Sequence, residues 1–404
     1  MNPQLPPLAE PQAAKGAFDL LIVGAGPAGL SLAARLASAP LSIGVIELQD
    51  KATLAAPPYD GREIALTQAS IARLTTLGAW QLLSPHETPP LLRAEVLDGA
   101  SPYVLGFADR RAAPLGALVP NAAIRRTLFE RVSQQDNCSI FAGVEAQRTS
   151  IQDDGARVEL SDGRVLTAKL LVAADTRFSP LRKSQGIGAR MIDFGRTMLV
   201  TRIAHERAHG SVATEWFDHG QTIAMLPLQD HNSSFVLTLD ARQMRDIQSM
   251  DAVAFAREVE RRTQRRWGAV KLESDRFYYP LVAAYAERFV APRFALLGDA
   301  AVGMHPVTAH GFNFGLRGAF TLGGVILAAL QRRRDIADPQ GLRRYERDHR
   351  RATLPLFVAT NAIAKLYSDE RPVARLARGM ALRLMNATPG ARRVVEASLS
   401  GTAP

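Results

Sequence analysis

Cysteine is nearly missing from this sequence: Cys138 stands alone among 404 residues. A single thiol excludes an intramolecular disulfide, a Cys-x-x-Cys redox centre and a cysteine-built zinc cluster. Long apolar runs are also lacking. The longest, Ala319 to Leu330, is interrupted by Thr321, Gly323 and Gly324 and is shorter than the roughly 20 residues that span a bilayer. No transmembrane segment is expected. The opening MNPQLPPLAEPQAAKGAF has no basic region followed by an apolar core, so it does not read as a signal peptide. Residues 1–17 are expected to form a loose tail, and the cytoplasm is the expected compartment. A Gly-x-Ser-x-Gly nucleophile elbow is missing as well, which argues against a serine hydrolase.

What is present is ordinary for a folded chain: 47% hydrophobic, 22% charged, 30 Gly and 24 Pro. Those proportions exclude collagen-like, coiled-coil and wholly disordered chains, and the length suits two or three domains. The net charge of +10 is uneven. Residues 331–404 hold 15 Lys/Arg against 7 Asp/Glu, a net +8. A basic end can serve nucleic acid, anionic lipid or simple solvation. With no aromatic-interleaved basic motif beside it, nucleic acid is not an expected partner.

Phe18 to Val23 is a short apolar run suited to a buried parallel strand. Gly24-Ala25-Gly26-Pro27-Ala28-Gly29 follows, then a helical Leu30 to Ala37 and a second strand, Ser42 to Glu47. Each part has a mechanical role in dinucleotide binding. Gly24 permits a tight turn, Gly26 lets a pyrophosphate approach the backbone, and Gly29 lets helix and strand pack closely. The helix N-terminus offers unpaired N–H groups to phosphates, and Glu47 can accept from ribose hydroxyls. A carboxylate there disfavours a 2′-phosphate, so the site suits FAD or NAD better than NADP. Gly186 to Met191 lacks the third small residue of such a fingerprint, so no second fixed dinucleotide site is expected.

A distant segment, Arg293 to Ala301, is another buried strand running into Gly298-Asp299. Met304-His305-Pro306, then Thr308-Ala309-His310-Gly311-Phe312-Asn313, lead into a helical stretch to about Leu330. Small residues let backbone approach a flat ligand. Asp299 can accept from ribityl hydroxyls or cap a helix, and a helix starting near Phe312 can aim N–H groups at a flavin's pyrimidine edge. His205 and His209 could ligate a metal at helical spacing, but an exposed pair without a metal is the favoured reading, and no metal site is expected.

Together these segments resemble the class A flavoprotein monooxygenases, and more narrowly the ubiquinone-biosynthesis aromatic-ring hydroxylases. Asp60-Gly61-Arg62-Glu63-Ile64-Ala65-Leu66 fits that family's arginine segment, Asn121 to Leu128 its FAD-contacting helix start, and Glu215-Trp216-Phe217 with Ile223 to Leu228 its substrate sheet. The likeness runs from about Phe18 to Leu330. There are departures. Thr308-Ala309-His310 precedes Gly311, Gly318 stands where Asp is usual, Val302 where His is usual, and Thr176 follows Ala174-Asp175 where Gly is usual. These mark a divergent subgroup. Halogenases on the same fold carry a Trp-x-Trp-x-Ile-Pro segment, whereas Trp80, Trp216 and Trp267 lie far apart here.

The resemblance implies an α/β fold: a Rossmann-like FAD domain of the para-hydroxybenzoate hydroxylase type, an interleaved β-sheet substrate domain and a helical C-terminal region. The expected division gives residues 18–90, 120–187 and 276–335 to the FAD domain, and 91–119 and 188–275 to the sheet. Residues 336–404 would form helices broken near Pro339, Pro355, Pro372 and Pro389. The implied reaction uses NAD(P)H to reduce non-covalent FAD and O₂ to form a flavin C4a-hydroperoxide, which oxidises the ring of a prenylated phenol or quinol. No protein nucleophile is needed. Arg62, His305, Pro306 and His310 would shape the reacting face, although His305 could equally satisfy a local hydrogen bond and His310 could simply fill space. The implied FAD contacts are Gly24, Ala25, Gly26, Pro27, Ala28, Gly29, Glu47, Arg62, Asn121, Asp175, Gly298, Asp299, Gly311, Phe312 and Asn313. Peripheral membrane contact is expected from Arg371, Arg375 and Arg378 beside a stripe of Leu376, Met380 and Leu384, or else contact with a quinone-biosynthesis complex. A prenyl-lipid reductase and a non-catalytic flavin scaffold are the competing readings.

Overall fold

The structure is a computed structural model that describes residues 16–99, 101, 104–108, 113–218, 220–305 and 311–368. Its first layer grows from the strand Ala17–Val23. Leu20, Leu21 and Ile22 are fully buried, the pattern of a strand covered on both faces. Each such aliphatic side chain contributes about 1.5–3 kcal/mol on burial. The strand pairs in parallel with Ile43–Glu47 on one side and Val165–Ala173 on the other. Cys138–Ala142 and Phe294–Leu296 extend the parallel core outward. Helix Pro27–Arg35 follows the first strand, with Pro27 in its first turn and Arg35 in its last, both favourable placements.

A second, nine-stranded sheet contains Ala189–His205, Asn232–Asp240, Gln221–Pro227, Val212–Asp218 and Arg93–Asp98 in that spatial order. One of its faces is dry. Leu199, Ile203, Trp216, Ile223, Phe235 and Leu237 pack there against Met244 and Ile247 of helix Ala241–Gln248 and against Phe255 and Val259 of helix Ala252–Arg262. The i,i+3 and i,i+4 spacings of those helix residues put them on single stripes. Asp240 and Asp251 cap the two helices through side-chain acceptors. The opposite sheet face is only half-buried at Met198, Glu215, Leu226, Val236 and Thr238.

Strand pairing crosses the expected boundaries at two places. Phe277–Ala286, expected to lie in the FAD stretch that begins at residue 276, pairs antiparallel with Ala189–His205 and belongs to the second sheet. Gly116–Pro120, largely assigned to the substrate stretch, pairs with Glu63–Thr67 in a separate three-stranded sheet with Pro90–Leu91. Both strands are placed by distant partners, which local composition does not name. The expected tail also ends early, since a strand already begins at Ala17; residues 1–15 lie outside the described residues.

Among the described residues, one helix, Gly311–Gln331, is long and apolar enough by length and composition to cross a membrane. Here it packs between helices Pro27–Arg35 and Pro339–Ser368, burying Leu316, Ala319, Leu322 and Ile326. The last of these helices is not broken at Pro355, which lies inside its 30 residues. A proline inside a helix removes one backbone hydrogen bond and costs about 3 kcal/mol. Burial of Tyr345, His349, Thr353 and Phe357 on the same helix offsets that cost and keeps the chain helical. Pro339 opens the helix, where its missing N–H costs nothing. The breaks expected at Pro372 and Pro389 lie outside the described residues.

Candidate active site

The three glycines of the loop differ in how crowded they are. Gly24 has φ +110°, and a Cβ there would lie 2.4 Å from the Ala174 carbonyl oxygen. Only glycine fits that conformation and that gap. A Cβ on Gly29 would lie 2.0 Å from the Gly24 carbonyl oxygen, so helix and strand touch there without side chains. Gly26 is different: a Cβ would meet nothing within 4 Å. Gly26 is also the N-cap of helix Pro27–Arg35, with no side-chain cap on the helix's N–H groups. Uncapped N–H groups beside open space are what an anionic phosphate needs.

Glu47 ends the second strand and turns its carboxylate back to this loop. Its Oε2 accepts from the Ala25 N–H at 2.7 Å, and its Oε1 from the Gln49 N–H at 3.0 Å. Gly298, at φ +62°, brings the distant segment to the same place, where a Cβ would lie 2.8 Å from the Ala28 Cβ. Gly315 of helix Gly311–Gln331 lies in ordinary contact with both, a Cβ there falling 3.6 Å from Gly298 Cα and 3.5 Å from Ala28 Cβ. Two chain regions far apart in sequence, residues 24–47 and 298–315, thus converge on one helix N-terminus. The cradle above Gly26 and the uncapped N–H groups fit an FAD pyrophosphate.

Asp175 lies beside the loop at the end of the Val165–Ala173 strand. Its Oδ2 accepts from the Ser179 hydroxyl at 2.9 Å, and its Oδ1 is buried without a hydrogen-bond partner. Burial raises its pKa above the ordinary carboxylate value. Asp299 pairs with Arg177, whose Nη2 donates to Oδ2 at 2.8 Å, while Arg177 Nη1 donates to the Val282 carbonyl at 2.5 Å. Arg177 was not singled out by sequence reading; its only signal is its place directly after Asp175-Thr176. His305 is buried with its ring edge-on to Phe194 at 4.5 Å. Burial, reinforced by Arg177, lowers its pKa to about 4, so the ring is neutral near pH 7.

Arg62 Nε donates to Asp60 Oδ2 at 3.0 Å, and the guanidinium lies over the Tyr279 ring at 5.6 Å. Asn121 donates from Nδ2 to the same Asp60 oxygen at 2.8 Å. One turn further along the helix Asn121–Ser133, Arg125 donates to the Gln49 side chain and lies within electrostatic reach of Glu47, Asp60 and Arg62. It is thereby coupled electrostatically to both the arginine segment and Glu47.

Asn313 turns its side chain elsewhere. Its Nδ2 donates to the Ala65 carbonyl at 2.9 Å and its Oδ1 accepts from the Thr67 N–H at 3.3 Å. It thereby fastens helix Gly311–Gln331 to the strand Glu63–Thr67. Gly311 and Phe312 open the described part of that helix. Pro306 and His310 lie outside the described residues, as do Arg371, Arg375 and Arg378.

The three-stranded sheet and the second sheet meet through a further pair that sequence reading missed. Arg202 Nε donates to Glu63 Oε1 at 2.9 Å, Tyr59 donates to the same oxygen at 3.0 Å, and the Arg202 guanidinium stacks 4.4 Å from the Tyr59 ring centre. Tyr279 adds a hydroxyl hydrogen bond to the Asp60 carbonyl at 2.5 Å. Arg202 and Tyr279 both project from the half-buried face of the second sheet, so that face looks toward residues 59–63.

His205 and His209 prove neither helical nor both exposed. His205 ends a strand and is buried, with Nδ1 at 2.8 Å from the Arg207 carbonyl and Nε2 at 2.8 Å from Ser233 Oγ. Among the described residues, no group of three or more His, Cys, Asp or Glu side chains is placed to hold a metal.

Comparison with known proteins places this geometry. A family model described as an FAD binding domain matches residues 17–356. The chain is 43% identical over 389 residues to ubiquinone hydroxylase UbiM of Neisseria meningitidis, covering 95% of this chain and 84% of that protein. It is 36% identical over 365 residues to ubiquinone hydroxylase UbiL of Rhodospirillum rubrum, covering 90% and 85%. Among solved structures, PqsL of Pseudomonas aeruginosa, described as a probable FAD-dependent monooxygenase, superposes with a TM-score of 0.75 at 21% identity, covering 87% of this chain and 97% of that one. At that identity the likeness speaks for the fold.

Proposed function

This chain belongs to the FAD-dependent monooxygenase family of the ubiquinone hydroxylases, and we propose that it hydroxylates the aromatic ring of a prenylated phenol or quinol in ubiquinone biosynthesis. The observation that carries this reading is the 43% identity to a ubiquinone hydroxylase along 95% of the chain. Bound FAD, reduced by NAD(P)H, supplies the activation of O₂ and the transfer of oxygen to the ring. The protein's part is to bind, orient and exclude water. Gly26 and the uncapped helix N-terminus hold the pyrophosphate, and Glu47 turns toward the ribose. Asp299 and Asp175 serve the ribityl side, with Arg177 steering Asp299. Arg62, held by Asp60, and neutral His305 line the reacting face; for Pro306 and His310, outside the described residues, the same role rests on the family resemblance alone. Asn313 acts as a fastening for the helix that carries Gly311 and Phe312.

We further read the parallel-sheet unit as the FAD domain, and the second sheet, extended to Ala286, as the substrate domain. The half-buried sheet face turned toward residues 59–63 supports that assignment. The compartment we propose is the cytoplasm, with peripheral contact to anionic membranes through Arg371, Arg375 and Arg378. Weak binding to anionic vesicles, lost as salt screens the charge, is expected for the intact protein and not for an Arg371/Arg375/Arg378→Glu variant; equal binding by both would remove that role.

The decisive experiment is lipid extraction from a deletion strain. A prenylated precursor lacking one ring hydroxyl should accumulate. An unchanged quinone profile, with no NAD(P)H oxidation by the purified holoprotein, would favour a non-catalytic scaffold instead.

A further inference from the structure

Residues 59–63 are clamped between the second sheet and Asn121. Phe277 and Tyr279 stand across from Val200 and Met198, so by strand alternation they share a sheet face with Arg202. These side chains touch every residue of the segment. The Phe277 ring lies edge-on to Tyr59 at 5.6 Å and against Gly61, where a Cβ would fall 2.5 Å from Phe277 Cδ2. Tyr279 donates to the Asp60 carbonyl and carries the Arg62 guanidinium over its ring. Arg202 stacks on Tyr59 and donates to Glu63. From the other side, the Asn121 N–H donates to the Arg62 carbonyl at 2.9 Å, and the Asn121 side chain holds Asp60.

Glu63 anchors this clamp. Its side chain has no exposed surface. Arg202 Nε and Nη2 both donate to its Oε1, at 2.9 Å and 2.6 Å, and the Tyr59 hydroxyl adds a third hydrogen bond to that oxygen. Oε2 is buried without a partner. Burying a carboxylate is costly and its attraction to a cation offsets that cost incompletely, so such a pair is a poor source of stability. What the planar guanidinium fork does supply is a fixed direction. Arg62 is the opposite case. Its side chain is 45% exposed, so packing does not fix it. Asp60 and Tyr279 do, and both belong to the clamp. Arg62 also lies within electrostatic reach of Asp299 on the distant glycine segment.

We propose that Glu63 is a positioning residue: locked by Arg202 and Tyr59, it sets the Arg62 guanidinium against the flavin. The second sheet thereby decides the electrostatics of the cofactor. This rests on the reading of Arg62 as a flavin-side residue given above. A cation there stabilises the negative charge that reduction adds, and so raises the flavin's reduction potential. Removing Glu63 then has two effects of opposite sign. Loss of a carboxylate acting directly raises the potential, whereas displacement of Arg62 lowers it.

The test measures the FAD midpoint potential of holoenzymes by dye equilibration, without any phenol, after FAD content is checked. Arg62→Ala should lower the potential. Glu63→Leu should lower it by most of that shift. Glu63→Gln removes the same charge but keeps an acceptor oxygen for Arg202 and Tyr59, and should lie closer to wild type. Arg62→Ala/Glu63→Leu should match Arg62→Ala alone, because effects that run through one residue do not add. Should Glu63→Leu fail to hold FAD, Glu63→Leu/Arg202→Leu leaves no unpaired buried charge. It should lower the potential likewise, with no further change when Arg62→Ala is added. A rise or no change on losing Glu63, or a shift that adds in full to that of Arg62→Ala, overturns the proposal. An Arg62→Ala potential equal to wild type removes the flavin-side role of Arg62 itself, and this proposal with it.

Discussion

Replacing Gly26 by alanine separates ligand binding from folding, because its added methyl group meets no protein atom within 4 Å. The backbone there, φ −69° and ψ 173°, is one that alanine adopts without strain. Restricting the unfolded chain stabilises the variant by about 0.4–1 kcal/mol, and replacing glycine at an N-cap costs a similar amount. The apoprotein should therefore unfold within about 1 kcal/mol of wild type. Its FAD affinity should not survive. A methyl in the space above the uncapped helix end displaces the pyrophosphate from N–H groups and a dipole worth up to ~2 kcal/mol. That is roughly a thirtyfold weaker Kd at 1.4 kcal/mol per tenfold. Gly29→Ala serves as the contrast, since its Cβ would lie 2.0 Å from a backbone oxygen and should destabilise the apoprotein itself. Urea unfolding of the apoproteins and FAD fluorescence titration measure both quantities. Unchanged FAD affinity in Gly26→Ala would refute the placement of the pyrophosphate.

Asp299→Ala should weaken FAD retention by about tenfold to a hundredfold, the cost of one charge-assisted hydrogen bond; equilibrium dialysis giving the wild-type Kd would remove its ribityl role. A pH effect should come from His349, which is fully buried with neither ring nitrogen hydrogen-bonded. Burial, then Arg317, lowers its pKa to about 3, below the unfolded value of about 6.5. Its contribution is thus fully present above about pH 6.5 and is lost as pH falls toward 3, by up to ~1.4 kcal/mol per unit. Denaturant unfolding at neutral and mildly acidic pH should show a shallower loss in His349→Gln; an identical slope would contradict the assignment.

The local unit was the most legible part of the molecule. Strand, glycines, helix, strand and Glu47 are consecutive, and their roles follow from short-range geometry. What escaped sequence reading was set by long-range pairing. Arg202 and Glu63 are 139 positions apart, and Arg177 and Asp299 are 122 apart, with no spacing rule joining either pair. The strand Phe277–Ala286 could not be assigned to a sheet before its partner was known. Pro355 misled for the opposite reason: the local rule was sound, but tertiary burial on one helix face outweighed it. Gly318 shows how a departure in sequence can be matched elsewhere, since a Cβ there would lie 3.0 Å from the His349 ring.

The long strand Ala189–His205 has a consequence for anyone building chimaeras. Its first part, Ala189 to Asp193, pairs with Val282 to Ala286, and after a register shift Thr197 to Val200 pairs with Phe277 to Pro280. The two crossings between the layers are thus a single hydrogen-bonded ribbon, not a pair of independent linkers. Cutting the chain at residues 188 and 275 would take one half of that ribbon and leave the other, exposing unpaired strand edges in both donor and recipient. A transplanted substrate module should carry both halves, with its second junction beyond Ala286. Arg202 and Glu63 then become the matched contact to preserve, because a foreign sheet lacking the arginine would strand a buried carboxylate on the recipient.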